Sequence, residues 1–307
     1  ASSMNTVASR TLLVALCGLV AVSTGCSRNA IDAINLANEG DKSKATAPDE
    51  ALSKYEQAAQ IDPKNHKILW RESDIYKQKE RWADCAASMS KAAKLAPTYG
   101  KYFFRQGYCL AKAAEKGPTS WSEAKGPLEE AIAKDPNLAD SYFELANVLL
   151  HLDDEKGALD NFTKGVKAHP ESAEGYFELA SLYSQLGFKE EALNVAKEGV
   201  GLAKEGDKSM YKLHNVIGDA LKRKGDINAS ISSFEAAKKA CGQCNQGGEA
   251  ITLFALGSTY YQANKMSEAT QQLNAFQKVV CKGSAAARYR AQCEQAQQMT
   301  AKAGGTP

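Results

Sequence analysis

The sequence predicts an all-α fold built from repeated helix pairs, and three observations carry that prediction. Pro63, Pro97, Pro136 and Pro170 are separated by 34, 39 and 34 residues, and each closes a similar phrase, such as Ala-Gln-Ile-Asp-Pro. Upstream of each proline, apolar residues recur at three-to-four spacing around an alanine, which is typical of amphipathic helices. The 307 residues are 44% hydrophobic and 24% charged, which excludes a disordered or collagen-like polymer. A repeat architecture follows.

The charge balance excludes one class of partner. The chain has 38 Lys and Arg against 36 Asp and Glu, a formal net charge of +2. A surface that binds nucleic acid would show a clear basic excess. No nucleic-acid partner is therefore expected.

The first residues have the layout of a secretory signal peptide. An apolar run covers residues 12–22, after Arg10 and before the small polar stretch that ends at Cys26. A permanent membrane span needs about 20 apolar residues, so this run is too short. The segment predicts export from the cytoplasm.

The end of the run resembles a bacterial lipoprotein signal, in which a small residue precedes a cysteine that is lipidated and becomes the new N-terminus. Gly25 and Cys26 match those places, whereas Ser23 stands where the family usually has an aliphatic residue. The resemblance implies a signal peptide over 1–25, a lipidated linker over 26–29 and stable anchoring by several acyl chains. Ser27, in place of Asp, favours the outer membrane and a periplasmic location. The alternatives are an ordinary cleaved signal with an incidental cysteine, and a buried N-terminal helix.

The body of the chain resembles the tetratricopeptide repeat, a 34-residue helix-turn-helix unit. The family has small residues at repeat positions 8 and 20 and a larger apolar residue at position 24. Position 8 is matched by Ser73, Gly107, Ala146, Ala180, Gly218 and Gly257. Position 20 is matched by Ala51, Cys85, Ala124, Ala158, Ala192, Ser230 and Ala269, and position 24 by Tyr55, Met89, Leu128, Phe162, Ala196, Phe234 and Leu273.

This resemblance implies the architecture of the whole chain. We expect a right-handed superhelical solenoid of about seven helix-turn-helix units over 30–283, a capping helix over 284–302 and a disordered tail over 303–307. Solenoid ends need a polar cover, which the last segment would supply. The third unit carries about five extra residues, where Gly117 and Pro118 are expected to break the helix.

In this family the front helix of each unit lines a concave groove, and its inward positions here carry aromatic and charged residues. Position 5 gives an aromatic series that Asn215 interrupts: Trp70, Phe104, Phe143, Phe177 and Phe254. Position 6 changes sign along the chain, with Arg71 and Arg105 followed by Glu144 and Glu178, and Asn147 stands at position 9. The pattern predicts capture of a peptide segment, because aromatic anchors supply energy and rim charges supply orientation.

Two readings of the groove residues stay open. The aromatic residues are common in the repeat whether or not anything binds, so simple packing is the alternative to a peptide-binding surface. The peptide-binding interpretation predicts that charge reversal at Arg71 and Arg105 weakens partner capture and leaves the fold intact. A groove filled by the protein's own segments would favour a spacer.

Six cysteines remain after Cys17 and Cys26, and an even number in an exported chain suggests disulfides. Cys85, at position 20 of a rear helix, and Cys109, at position 10 of the next front helix, lie on surfaces that pack in a solenoid and are the first predicted pair. One of Cys241 or Cys244 bonded to Cys281 is plausible, while Cys293 lies roughly 13 Å further along the expected cap, at about 1.5 Å per residue.

Two further interpretations of these cysteines are carried as alternatives. Cys241 and Cys244 have the spacing of a redox motif, but such motifs open a helix, whose dipole lowers the thiol pKa, and this one would end a helix. Zinc held by cysteines is the other, with no histidine nearby. No metal site and no cofactor are expected.

No motif in the chain predicts an enzyme. There is no phosphate loop, nucleophile elbow or dinucleotide fingerprint, and the four histidines show no metal-ligand spacing. The preferred interpretation is a non-catalytic, lipid-anchored scaffold of the bacterial envelope that binds a peptide segment of another envelope protein. Lipoproteins that look like this one aid the assembly of outer-membrane barrels, pili or secretins. The alternative is a structural spacer or self-associating protein with no peptide ligand, and a redox accessory is a third.

Overall fold

The computed structural model describes residues 28–204, 206–283 and 285–304. These residues form helices joined by turns, with no strand among them. The prediction of an all-helical repeat fold is confirmed. The signal segment over 1–25 and the lipidation site Cys26 lie outside the described residues.

The chain divides into two compact units, and the division falls inside the fourth predicted repeat. Unit 1 ends at Asp154 and unit 2 begins at Glu155. Each unit has its own buried core, so each is described by itself.

Unit 1 contains seven described helices. They are α1 (28–43), α2 (Pro48–Ile61), α3 (His66–Gln78), α4 (Trp82–Leu95), α5 (Gly100–Lys116), α6 (Trp121–Lys134) and α7 (Ala139–His151). Residues 28 and 29, expected in a linker, are already helical. We call α1, α3, α5 and α7 the front helices and α2, α4 and α6 the rear helices.

Unit 2 contains nine described helices. They are α8 (Glu155–Ala168), α9 (Ala173–Gln185), α10 (Lys189–Leu202), α11 (Met210–Lys224), α12 (Ile227–Cys241), α13 (Gly247–Gln262), α14 (Met266–Val280), α15 (Ala285–Arg288) and α16 (Arg290–Lys302). Its front helices are α9, α11 and α13, and its rear helices are α8, α10, α12 and α14.

Paired small and large residues bring the two helices of a repeat together. A Cβ atom added at Gly107 would lie 2.5 Å from Leu128, and one added at Gly257 would lie 2.8 Å from Leu273. Leu128 and Leu273 are completely buried. Because no larger residue fits opposite them, the small residue at position 8 sets the close approach of front and rear helices in both units.

The predicted helix break in the third repeat is present. Helix α5 ends at Lys116 and α6 begins at Trp121, with Gly117 and Pro118 between them. Ser120 and Glu123 form a capping box that satisfies backbone N–H groups at the start of α6. The inserted residues therefore form a turn that starts the next helix.

The C-terminal segment differs from the single capping helix that was expected. A four-residue helix, α15, is followed by α16, and Tyr289 between them has a non-helical backbone. Cys293 and Ala296 of α16 join a buried cluster with Leu273 and Phe276 of α14. The break lets the last helix turn back onto the repeat before it.

No helix among the described residues is both long and apolar enough to cross a membrane.

Candidate partner-binding surfaces

In unit 1 the predicted groove residues lie on the front helices and are half-buried. Trp70 and Arg71 belong to α3 and Phe104 and Arg105 to α5, while α7 carries Phe143, Glu144 and Asn147. The structure shows where these side chains lie, and whether a ligand uses them stays a prediction.

Arg105 is held by the preceding front helix. Its guanidinium forms an ion pair with Asp74, donates to Ser73 Oγ at 2.9 Å and lies 3.2 Å from the centre of the Trp70 ring. Only 13% of its side chain is exposed. A stacked and hydrogen-bonded arginine of this kind stabilises the contact between two repeats.

Arg71 makes the equivalent link one repeat earlier. Its Nη1 donates to Asn38 at 3.1 Å and pairs with Asp41 at 3.2 Å, both on α1. Each arginine is therefore paired with an acid of the preceding repeat, which offsets the basic charge that the sequence places at these two positions. Charge reversal at Arg71 and Arg105 would disturb the fold and cannot serve as a clean test of binding.

Glu144 is the carboxyl group of unit 1 whose ionisation is most affected by its surroundings. Burial raises its pKa to about 7, Glu115 and Asp140 add to the effect, and Lys112 opposes it. Glu144 therefore carries less negative charge near physiological pH than the sequence alone suggests.

In unit 2 the predicted groove residues Phe177 and Glu178 lie on α9 and are half-buried. Lys212 of α11 pairs with Glu174 at 2.6 Å and lies 5.0 Å from the centre of the Phe177 ring. Burial and the charge of Glu174 raise the pKa of Glu178, while Lys212 lowers it. A cation from the next repeat therefore covers an aromatic residue in unit 2 as well.

Phe254 belongs to the C-terminal core. Its ring lies 5.3 Å from the ring of Phe276, and it packs against the same cluster as Tyr289 and Met299. The folded-back C-terminal helices therefore contribute to the surroundings of Phe254.

An open cleft of about 330 Å³ lies at the front of unit 2, between α9 and α11 and beside the start of α10. Its lining combines hydroxyl, amide, acidic and basic groups with small apolar surfaces: Ser181, Ser184, Gln185, Lys189, Glu190, Ala192, Val216, Asp219, Ala220, Arg223 and Lys224. Lys224 and Glu190 pair at 2.7 Å across one lip. We call this space the front cleft of unit 2.

Sequence reasoning did not select the residues of this cleft. Ser184, Gln185 and Arg223 occupy positions 12 and 13, which the family turns towards the groove, so the positional signal was present. The sequence prediction relied on the aromatic residues at position 5 instead. The small side chains at positions 9 and 12, Ser181 and Ser184, leave the space open.

All six described cysteines are paired. Cys85 of α4 and Cys109 of α5 form the pair predicted first, with Cα atoms 6.0 Å apart. Both residues are completely buried, so this bond joins two repeats inside the core of unit 1.

The expected bond from Cys241 or Cys244 to Cys281 is wrong. Cys241 pairs with Cys244, at a Cα separation of 5.1 Å, and Cys281 pairs with Cys293, at 5.7 Å. The break at Tyr289 brings Cys293 back to the end of α14, which a continuous helix would not do.

The structure also bears on the redox-motif and metal-site interpretations of the cysteines. Cys241 is the last residue of α12, so the Cys-Gly-Gln-Cys motif follows a helix C-terminus, as expected. No group of three or more His, Cys, Asp or Glu among the described residues is arranged to hold a metal ion.

Family models for the tetratricopeptide repeat match residues 128–160, 173–205 and 211–244. Among solved structures, Pseudomonas aeruginosa pilF is similar with a TM-score of 0.51 and 18% identity, over 67% of this chain and 89% of that one. The APC/C hetero-tetramer Cut9-Hcn1 matches with a TM-score of 0.51 and 16% identity, over 82% of this chain and 49% of that one. The ArsTM double mutant of MamA from RS-1 matches with a TM-score of 0.50 and 18% identity, over 55% and 93%. At these identities the likeness concerns the fold alone.

Proposed function

We propose that this chain, which contains tetratricopeptide repeats, is a lipid-anchored scaffold of the bacterial envelope that binds a segment of another envelope protein. Proteins with this fold typically mediate protein–protein interactions. The envelope location rests on the signal layout and on Cys26. Ser27 favours the outer membrane, with the repeats in the periplasm, where an assembling outer-membrane complex would supply the partner.

The front cleft of unit 2 is the observation that carries partner binding. Hydroxyl and amide groups from Ser181, Ser184 and Gln185 can hydrogen-bond an extended polypeptide, and Arg223 and Asp219 can orient its charges. The cleft is large enough for one or two side chains of a bound polypeptide. An extended segment that crosses the front helices would place one or two of its side chains in the cleft.

Crosslinking in cells tests the proposal. A photoreactive residue at Gln185 samples the front cleft, and one at Lys197, exposed on rear helix α10, is the matched control. We expect a discrete crosslinked envelope protein from position 185 and none from position 197. Equal crosslinking from both positions, or from neither, would contradict partner binding at this cleft.

Lipid anchoring has a separate test. Cells that express the chain are fed an alkynyl fatty acid, and the protein is examined for incorporated label and for its membrane fraction. We expect label in the unaltered chain and none in Cys26→Ser. Label that persists in Cys26→Ser would place any acylation elsewhere.

A self-associating spacer is the second candidate, and one observation favours it. Two of the aromatic residues expected to anchor a peptide are covered by side chains of the protein itself, since Arg105 lies on Trp70 and Lys212 lies over Phe177. A spacer predicts a defined oligomer of the chain lacking residues 1–25 with Cys26→Ser. Sedimentation across a hundredfold concentration range distinguishes it from a monomeric scaffold.

A further inference from the structure

Each unit also has a cleft that opens between two neighbouring rear helices. The rear cleft of unit 1, about 630 Å³, lies between α2 and α4 with α3 as its floor. The rear cleft of unit 2, about 390 Å³, lies between α12 and α14 with α13 as its floor. The two clefts occupy the same place in the repeat, which makes them a matched pair.

The two clefts share one polar feature. In unit 1 the Tyr76 hydroxyl donates to Glu56 Oε1 at 3.2 Å, and in unit 2 the Tyr260 hydroxyl donates to Glu235 Oε1. Both tyrosines stand at position 11 of their repeats. This shared pair therefore cannot explain any difference between the clefts.

The difference lies at position 7, on the floor. Unit 2 has Leu256, which is 1% exposed, and unit 1 has Glu72, which is 7% exposed. An apolar residue suits such a place, since burying a carboxylate costs several kcal/mol unless it is paired and hydrogen-bonded. Glu72 therefore places a carboxyl group where the cleft of unit 2 has a buried apolar side chain.

The partners of Glu72 inside the chain satisfy it only partly. Ser88 Oγ lies 2.9 Å from Glu72 Oε2 and 3.1 Å from the carbonyl oxygen of Leu69, and its single hydroxyl hydrogen cannot serve both acceptors. Burial raises the pKa of Glu72, the charge of Glu56 adds to this, and Lys91 opposes it. No basic side chain of the described residues forms an ion pair with it.

The cleft around this carboxyl group has a mixed lining. Ala59, Pro63, Leu69 and Leu95 supply apolar surface, and the polar groups belong to Glu56, Gln60, Asp62, Tyr76, Lys91 and Lys94. A long basic side chain matches both features, because its alkyl stem packs on apolar surface while its charged head meets a carboxylate. A guanidinium would complete the hydrogen bonds that Ser88 cannot.

We propose that the rear cleft of unit 1 binds an arginine or lysine side chain of a partner polypeptide, with the cationic group on Glu72 and the stem against Leu69 and Leu95. This site is separate from the front cleft of unit 2 and does not depend on the function proposed there. It would let the chain engage a second polypeptide segment on its rear side.

A peptide titration followed by methyl NMR tests the proposal. The probes are acetyl-Ala-Leu-Arg-Leu-Ala-amide and the same peptide with citrulline, which keeps the shape and removes the charge. We expect the methyl signals of Leu69 and Leu95 to shift with the arginine peptide and binding to weaken at least fivefold with citrulline. Glu72→Gln should remove that difference, while Glu235→Gln, in the rear cleft of unit 2, should preserve it.

Other outcomes would overturn the proposal. Equal binding of the two peptides, or shifts confined to methyl groups outside this cleft, would show that Glu72 does not recognise a cation. If Glu72 instead serves as a structural partner of Lys91, then Lys91→Met should lower the thermal midpoint and weaken binding. We expect Lys91→Met to strengthen binding, because it removes a competing cation. Glu72→Leu, which restores the residue type of the other cleft, should fold and lose arginine preference.

Discussion

Arginine makes the ion pairs between front helices of unit 1, whereas lysine makes the ion pair between α9 and α11 in unit 2. In unit 1, Arg71 and Arg105 each reach an acid of the preceding front helix. In unit 2, Lys212 pairs with Glu174, and hydrogen bonds run from Asn215 to Thr252 and from Lys222 to Ser258. The residues that join neighbouring front helices therefore differ in type and in repeat position between the two units.

This difference follows from the chemistry of the two cations. A guanidinium is planar and can stack on an aromatic ring while donating several hydrogen bonds. Arg105 therefore covers the Trp70 ring and also binds both Ser73 and Asp74. A lysine ammonium is a compact point charge, so Lys212 pairs with Glu174 and lies near the Phe177 ring without stacking on it. The contacts that join neighbouring front helices therefore differ in geometry between the two units.

The largest expected difference between the units concerns their disulfides. The Cys85–Cys109 bond closes a loop of 24 residues, whereas Cys241–Cys244 closes one of three. By chain entropy these loops correspond to about 3.5 and about 1.6 kcal/mol of stability. We expect Cys85→Ser with Cys109→Ser to destabilise unit 1 about twice as much as the matched double variant destabilises unit 2.

Hydrogen exchange with mass spectrometry measures this prediction, because peptides from the two units report separately. Cys281→Ser with Cys293→Ser, which opens a loop of 12 residues, should fall between them. An equal effect of all three variants would show that loop length does not govern these bonds.

The arginine of unit 1 should matter more than the lysine of unit 2. Arg105→Ala removes a mostly buried cation and leaves Asp74 unpaired, so we expect a loss of about 3 kcal/mol in the exchange stability of α3 and α5. Lys212→Ala removes a more exposed group and should cost about 1 kcal/mol. Arg223→Ala, in the front cleft, is the control and should stay within about 0.5 kcal/mol of the unaltered chain. A loss from Lys212→Ala as large as that from Arg105→Ala would remove the distinction between the units.

The pH dependence of Glu144 gives a smaller effect with a definite sign. Its pKa is about 7 in the folded chain, above the ordinary value of 4.5, so the folded state favours the protonated form. Its contribution to stability is therefore most favourable below about pH 4.5 and declines as pH rises through 7. Glu144→Gln should be more stable than the unaltered chain by about 1–2 kcal/mol at pH 8, after allowance for partial exposure, and nearly equal to it at pH 4.5.

Thermal unfolding at the two pH values checks this prediction, with the exposed rear residue Glu129 changed to Gln as the control. Burial also raises the pKa of Glu178 on α9, so Glu178→Gln should shift in the same direction. A Glu144→Gln variant that loses stability at pH 8 would show that the charged form is the one the fold requires.

The sequence predicted the repeat well because its signal is local and repeated. Gly107 and Leu128 contact each other within one helix pair, so their spacing along the chain is set by the geometry of a single repeat. This small-and-large pattern can be recognised without knowing how adjacent repeats pack. The break at Gly117 and Pro118 was equally visible. The helix break at Tyr289 was not, since nothing in the surrounding Ala and Arg residues disfavours a helix.

The surroundings of the predicted groove residues were not predictable from the sequence, and the reason is physical. Repeat position indicates which way a side chain points, but the fate of its charge depends on residues one repeat away. Arg105 looks free in its own repeat and is neutralised by Asp74 of the preceding one. Likewise, Glu72 is conspicuous only once burial and the contrast with Leu256 are known.

The smallest expected effect compares one surface ion pair from each unit. Lys224 and Glu190 pair at 2.7 Å on the lip of the front cleft, with 42% and 64% of their side chains exposed, and Arg71 and Asp41 pair at 3.2 Å with 31% and 39% exposed. Double-mutant cycles to alanine should give about 0.2–0.5 kcal/mol for the first pair and about 1 kcal/mol for the second. The shorter pair is expected to be the weaker because solvent screens it more and Asn38 adds a hydrogen bond only to Arg71. Raising the salt concentration to 1 M should remove most of the first coupling and a smaller part of the second, whereas equal loss from both would mean that the arginine links of unit 1 are ordinary surface pairs.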